Sequence, residues 1–197
     1  ERAKAPNEGF YTSMSIRMPE GTNVEWDVWE YNYLKSRFAI RPGDIDPKWS
    51  LPNGEIVFYH LWNDSRVIPE RLTVDNVGTN WVELSLPVRR NPCNSLWRLE
   101  NLREIADQPG EWAIVFNEKR LYYRPFPGED MPTAEVVAPY LTTLLKIDGA
   151  TNVRFEGVCF ENSRWELAAG DRNDTQAAAS VGAAVVLTNA VGCTFEK

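Results

Sequence analysis

Residues 145–156 read LKIDGATNVRFE, and forty residues further along the chain residues 185–196 read VVLTNAVGCTFE. Phe155 and Phe195 occupy the same position in the two stretches, and aliphatic residues share the earlier positions. In each stretch apolar and polar residues alternate, a bend of small residues follows, and the alternation then resumes. This period of two predicts two half-buried strands around a tight turn. We interpret the stretches as two copies of one structural unit.

A unit of this kind cannot bury its inner face alone and must stack on a neighbour. The repeat therefore predicts that residues 133–197 form the first rungs of a right-handed parallel β-helix, with Phe155 stacked on Phe195. Two hairpins of an ordinary β-sandwich are the alternative. The chain begins with Glu1 and stops at Lys197, directly after a predicted strand. Because an open end of a β-helix exposes apolar side chains and unpaired backbone, we expect the chain to be a segment of a longer protein.

The region before the repeat is predicted to be all-β except for one short helix. Short alternating stretches separated by turn residues run through 36–132, at a spacing typical of an antiparallel β-sandwich or barrel. We expect this region to be an insertion domain that strands within residues 1–35 join to the β-helix. A short helix is predicted over 95–106, because leucines recur there at helical spacing and a Gln-Pro-Gly turn follows. A hairpin is predicted over 111–124.

Composition and charge exclude several classes of protein. The chain has 197 residues, of which 43% are hydrophobic, so it is long and apolar enough to bury a core. Its formal charge of -7, with scattered lysines and arginines, argues against a nucleic-acid partner. No apolar run is long enough to predict a membrane span. The three cysteines lack CxxC spacing and there is one histidine, so we expect no structural metal site.

Six stretches of the chain form a set of motifs in a recognisable order and spacing: 2–9, 60–66, 110–112, 121–125, 135–139 and 149–157. They resemble those of right-handed parallel β-helix proteins of the pectin-lyase-like superfamily. The similarity is strongest to bacterial β-helix glycoside hydrolases, fucosidase-, xylanase- and xylosidase-like, that carry a β-sandwich insertion. The resemblance implies a secreted or periplasmic carbohydrate-active enzyme, most simply a glycoside hydrolase, that acts on a polysaccharide or oligosaccharide. It also implies catalytic carboxylates on later rungs of the parent protein, beyond Lys197, so that the segment alone is inactive.

The loop between the two copies is a candidate site. One coil of a β-helix takes roughly 20–25 residues, so the offset between the copies leaves a long projecting loop. Glycan sites use flat apolar faces and planar polar groups, which makes Trp165 a candidate platform and Gln176 a candidate contact. Hydrolysis needs two carboxyl groups, and the loop offers Glu166, Asp171 and Asp174 as acid or nucleophile. Its aspartates could also hold calcium through oxygen ligands, although their spacing matches no established calcium loop. A solvated loop is the alternative.

A second candidate site lies at the end of a predicted strand over 55–62. His60 and Trp62 can share one face there, and Asp64 can hold Arg66, which together would position a substrate. A histidine that only satisfies local packing is the alternative. Two other functions remain open at this point: a non-catalytic glycan-binding or surface module, and a polysaccharide lyase, which would need a basic residue and often calcium at its cleft.

Overall fold

The computed structural model of the chain describes residues 1–14, 36–88, 92–165 and 181–197. Within these residues it is all-β, with fourteen strands and three single-turn 3-10 helices. The strands predicted between residues 15 and 35 lie outside this set. The domain boundaries stated above stay predictions.

The first sheet is antiparallel and consists of strands β1 (Lys4–Ala5), β2 (Tyr11–Thr12), β4 (Glu55–Tyr59), β5 (Asp64–Val67) and β8 (Leu96–Glu100). It is organised around β8, which pairs with β4 on one side and with both β1 and β2 on the other. Strand β5 extends the sheet beyond β4.

The second sheet is also antiparallel and consists of strands β3 (Arg37–Ile40), β6 (Pro69–Val74) and β7 (Asn80–Leu84). Their order in the sheet is β3-β7-β6. The pairing of β6 with β7 shifts register between Pro69 and Arg71. None of the sheets closes into a barrel among the described residues, so the barrel form of the prediction is not seen.

The two sheets share one hydrophobic core. The ring of Phe38 from the second sheet meets Phe58 and Trp97 from the first edge-on, with ring centroids 4.8 and 5.2 Å apart. All three side chains are fully buried. Aromatic rings bury large areas and favour this edge-on geometry. The sheets are therefore packed face to face, as the sandwich prediction requires.

The helix predicted over 95–106 is wrong. Strand β8 occupies most of that stretch, and only a single 3-10 turn, Arg103–Ile105, follows it. Trp97 and Leu99 are fully buried while their neighbours are not, which is the strand period of two. Asn101 then adopts a left-handed conformation, with φ at 64°, which interrupts any right-handed helix. The leucines satisfy helical spacing by coincidence, and pairing with β4 decides the outcome.

The hairpin predicted over 111–124 is confirmed. Strand β9 (Trp112–Val115) pairs antiparallel with β10 (Arg120–Tyr123). An isolated parallel bridge joins Arg2 to Trp112, and the N-terminal ammonium group donates to the carbonyl of Gly110 at 2.6 Å. These contacts attach the start of the chain to the hairpin.

The two copies of the repeat pair in parallel with the predicted register. Phe155 lies opposite Phe195, and their rings stack with centroids 4.9 Å apart and planes only 7° from parallel. The paired strands are β11 (Leu145–Asp148) with β13 (Val185–Thr188) and β12 (Arg154–Glu156) with β14 (Thr194–Glu196). The forty-residue repeat is thus a structural repeat. A continuous β-helix remains a prediction, because the two parallel pairs are short.

The bends inside the repeat explain its small residues. Gly149 and Asn189 occupy equivalent positions with φ at 69° and 51°, and Asn152 and Gly192 are equivalent with φ at 57° and 65°. Glycine and asparagine are the residues that adopt this left-handed conformation most readily. The side-chain oxygen of Asn152 lies so close to Gly192 that a β-carbon there would force this side chain to move. The alternation of glycine with asparagine therefore lets the two bends stack.

Candidate functional site

The outward face of the first sheet is defined by alternation along β4. Ile56 and Phe58 are fully buried in the shared core, so Glu55, Val57 and Tyr59 project from the opposite face. Val57 is also fully buried, although it does not belong to the core cluster. The outward face is therefore itself covered by side chains from neighbouring segments.

Four charged side chains from separate parts of the chain meet on this face. Glu55 and Glu100 lie directly opposite each other on β4 and β8, an arrangement in which like charges repel. The Nη1 atom of Arg2 lies 2.6 Å from Oε2 of Glu55 and 3.4 Å from Oε2 of Glu100. The Nη1 atom of Arg66 lies 3.1 and 3.4 Å from the same two oxygens. Two guanidinium groups thus neutralise the carboxylate pair.

Arg66 links this ionic cluster to the candidate residues. Its Nε atom lies 3.4 Å from Oδ2 of Asp64, so the two predicted partners are in contact. Burial acts to lower the pKa of Arg66, but the charges of Glu55, Glu100 and Asp64 outweigh it and raise the pKa above its ordinary value. The guanidinium therefore stays charged and well anchored.

Trp165 joins the site from the C-terminal part of the chain. The guanidinium carbon of Arg66 lies 5.6 Å from the centroid of the Trp165 ring, within cation–π range. Trp165 remains 51% exposed. The structure thus brings together Asp64, Arg66 and Trp165, which the sequence analysis placed in two separate candidate sites. Their role in substrate binding stays a prediction.

His60 and Trp62 occupy the β4–β5 hairpin in different ways. The Nε2 atom of His60 lies 2.8 Å from the hydroxyl oxygen of Ser65, and its ring stacks near that of Phe58 with centroids 6.3 Å apart. Both of these neighbours are fully buried. His60 thus contacts two buried side chains of the hairpin, and its role in positioning a substrate stays a prediction. Trp62, by contrast, is 60% exposed at the tip.

The remaining candidates cannot be placed. Glu166, Asp171, Asp174 and Gln176 lie outside the described residues, so their proposed roles stay predictions. In the described part of the chain, no group of histidine, cysteine or acidic side chains is arranged to hold a metal ion. No helix in that part is both long and apolar enough to cross a membrane.

Sequence reasoning missed three members of the ionic cluster: Arg2, Glu55 and Glu100. Alternation along β4 was a usable signal for Glu55, because it puts Glu55 and Val57 on the same outward face of the strand. Glu100 could not be found, since its strand was predicted as a helix. Nothing local relates Arg2 to either carboxylate, from which it is separated by 53 and 98 residues.

Comparisons with known proteins identify the class of fold. A scan against models of protein families finds no match, and a search of curated proteins finds none. Among solved structures, a protein described as a glycoside hydrolase matches with a TM-score of 0.65 at 19% sequence identity. The match covers 84% of this chain and 30% of that one. The chain therefore has a glycoside hydrolase-like fold and spans under a third of the length of the protein that it matches.

Proposed function

We propose that the chain is a carbohydrate-binding part of a carbohydrate-active protein, most simply a glycoside hydrolase. The observation that carries the proposal is the structural match to a glycoside hydrolase over 84% of this chain. The in-register stacking of Phe155 on Phe195 supports a right-handed parallel β-helix that starts within residues 133–197. Because polysaccharides are encountered outside the cytoplasm, we further propose that the protein is secreted or periplasmic.

The exposed aromatic side chains support binding of sugars. Trp62, at the tip of the β4–β5 hairpin, is 60% exposed, and Trp165, which contacts Arg66 on β5, is 51% exposed. Sugar rings present flat C–H surfaces that pack on aromatic faces, while their hydroxyl groups take hydrogen bonds from planar polar groups. Arg66 places a planar guanidinium group beside Trp165. Its own position is fixed by carboxylates, so little entropy is lost when a ligand binds.

The carboxylates on this face favour binding over bond cleavage within the described residues. Glu55, Glu100 and Asp64 each lie within ion-pair distance of Arg66. A hydrolytic pair needs one carboxyl group to donate a proton and the other to act as base or nucleophile, and these three instead hold an arginine. This observation supports the second candidate function, a glycan-binding module without its own chemistry. Under the first, catalysis requires acids outside the described residues.

The binding proposal is tested by affinity electrophoresis of the chain in gels that contain soluble polysaccharides. Trp62→Ala and Trp165→Ala should each weaken binding by about 1–3 kcal/mol, or roughly 5- to 150-fold, because each removes a stacking surface. Phe116→Ala is the matched control, since Phe116 is an aromatic residue 70% exposed on the other hairpin. Unchanged retardation of both tryptophan variants would remove the proposed site.

The chemistry is tested on the complete protein and on this chain side by side. New reducing ends released by the complete protein alone would support hydrolysis that requires residues beyond this face. An unsaturated product that absorbs in the ultraviolet would identify a lyase instead. Binding without either product would leave the non-catalytic module as the function.

A further inference from the structure

Two stacks of arginine on an aromatic ring flank strand β4 on the outward face. Arg98 on β8 and Arg66 on β5 both lie opposite Val57, one on each side of it. The guanidinium carbon of Arg98 lies 4.3 Å from the centroid of the Phe10 ring, and that of Arg66 lies 5.6 Å from the Trp165 ring. Neighbouring strands are about 4.8 Å apart, so the two arginine backbones are separated by about 10 Å.

Both rings are held in place and remain accessible. Phe10 is 43% exposed, and its ring meets Tyr59 edge-on with centroids 4.8 Å apart. The Nε atom of Arg98 donates to the carbonyl oxygen of Gly9 at 2.8 Å, which fixes the backbone next to Phe10. Trp165, 51% exposed, is held by the anchored guanidinium of Arg66. Rigid, half-exposed aromatic rings bind flat apolar surfaces at small entropic cost.

The described side-chain charges on this face balance. Its cations contact or lie near its carboxylates: Arg2 pairs with Glu55, Lys4 pairs with Glu1, and Arg66 pairs with Asp64 and Glu100. The hydrogen bond and charge of Lys4 lower the pKa of Glu1, with smaller contributions from the N-terminal ammonium group and then from Arg98. The cations are Arg2, Lys4, Arg66 and Arg98, and the carboxylates are Glu1, Glu55, Asp64 and Glu100. A balanced face has no net attraction for an anionic polymer.

We propose that this face binds an extended, uncharged glycan that crosses strand β4, with one sugar ring on Phe10 and another on Trp165. This inference rests on the carbohydrate-binding function proposed above and adds the ligand class, its direction and a second platform. The arginines that contact the two rings lie on opposite sides of β4, with their backbones about 10 Å apart, so we expect the ligand to be an oligosaccharide rather than a single sugar. An uncharged ligand also disfavours a lyase, which cleaves next to a uronate carboxylate.

The test is calorimetric titration of the chain with xylo-oligosaccharides and cello-oligosaccharides of increasing length, and with oligogalacturonates as the charged comparison. Affinity for the neutral series should rise once the ligand is long enough to reach both rings. Phe10→Leu and Trp165→Leu should each remove that rise and weaken binding of the longest ligand by about tenfold. Leucine keeps apolar bulk at both positions, and thermal unfolding of each variant checks the fold. Phe116→Leu should change neither quantity.

The outcomes separate this inference from the proposed function. Loss of affinity in Trp62→Ala and Trp165→Leu, with no effect of Phe10→Leu, would overturn the second platform and leave the binding function intact. Tighter binding of oligogalacturonates than of either neutral series would overturn the ligand class. If none of these glycans binds, both the inference and the proposed binding function are refuted.

Discussion

Asn101 is the polar side chain whose removal should cost the sandwich most stability. It is 2% exposed, and its Nδ2 atom donates to the carbonyl oxygens of Asn53 and Ile114, each at 2.9 Å. Its Oδ1 atom accepts from the backbone N–H of Ile114, also at 2.9 Å. One side chain thus joins the end of β8 to the turn before β4 and to strand β9.

The expected loss of stability in Asn101→Ala follows from the backbone groups that the substitution leaves unpaired. Three backbone groups lose their partner, and each costs about 1 kcal/mol or more when it is shielded from water. Alanine must also adopt the left-handed conformation at this position, with φ at 64°, which costs a further 1–2 kcal/mol or so. We expect a loss of about 4–5 kcal/mol. Asn101→Gly removes the same hydrogen bonds without the backbone cost, so its loss should be about 3 kcal/mol.

The assay is urea unfolding followed by tryptophan fluorescence, because Trp97 in the shared core is fully buried. Asn162→Ala is the control, since Asn162 has φ at 59° but is exposed, and its replacement should cost only about 1–2 kcal/mol. A loss in Asn101→Ala no larger than in Asn162→Ala would refute the role given to the three hydrogen bonds. Equal losses in the alanine and glycine variants at position 101 would refute the backbone contribution.

Three further predictions concern the repeat and the pH dependence of stability. Gly192→Ala should destabilise more than Gly149→Ala in urea unfolding, because both glycines have φ near 65–69° but only Gly192 lies against another side chain; equal losses would contradict the close approach. Phe155→Ala should lower the free energy of unfolding by about 2–3 kcal/mol, less than deletion of a fully buried phenylalanine, because Phe155 is half-buried and Phe195 is 44% exposed. If the losses of Phe155→Ala and Phe195→Ala simply add in the double variant, the rings do not interact. Burial raises the pKa of Asp44, so its contribution to stability is present below its unfolded pKa and is lost as the pH rises through the folded pKa. Asp44→Asn should abolish this decline in stability, measured as urea unfolding at a series of pH values. A decline that persists in the variant would contradict the assignment to Asp44.

The ionic cluster shows why part of the site escaped sequence analysis. Asp64 and Arg66 are two residues apart on one strand, so their contact follows from local spacing. The pairing of Glu55 with Glu100 depends on β4 and β8 being neighbours in register, which no local pattern specifies. Arg2 and Trp165 come from still more distant parts of the chain, and only the packed fold brings them to Arg66.

The sequence by itself determined the repeat. Equivalent positions forty residues apart carry the same alternation of apolar and polar residues in the strands, and glycine or asparagine at the left-handed bends between them. It also determined the hairpin over 111–124, whose strands are close along the chain. The tertiary structure alone decided that Leu96–Glu100 is a strand and that its outward residues lie beside those of β4. The physical reason is that a short apolar stretch satisfies helical and extended spacing alike, and the choice between them depends on which surface it is buried against.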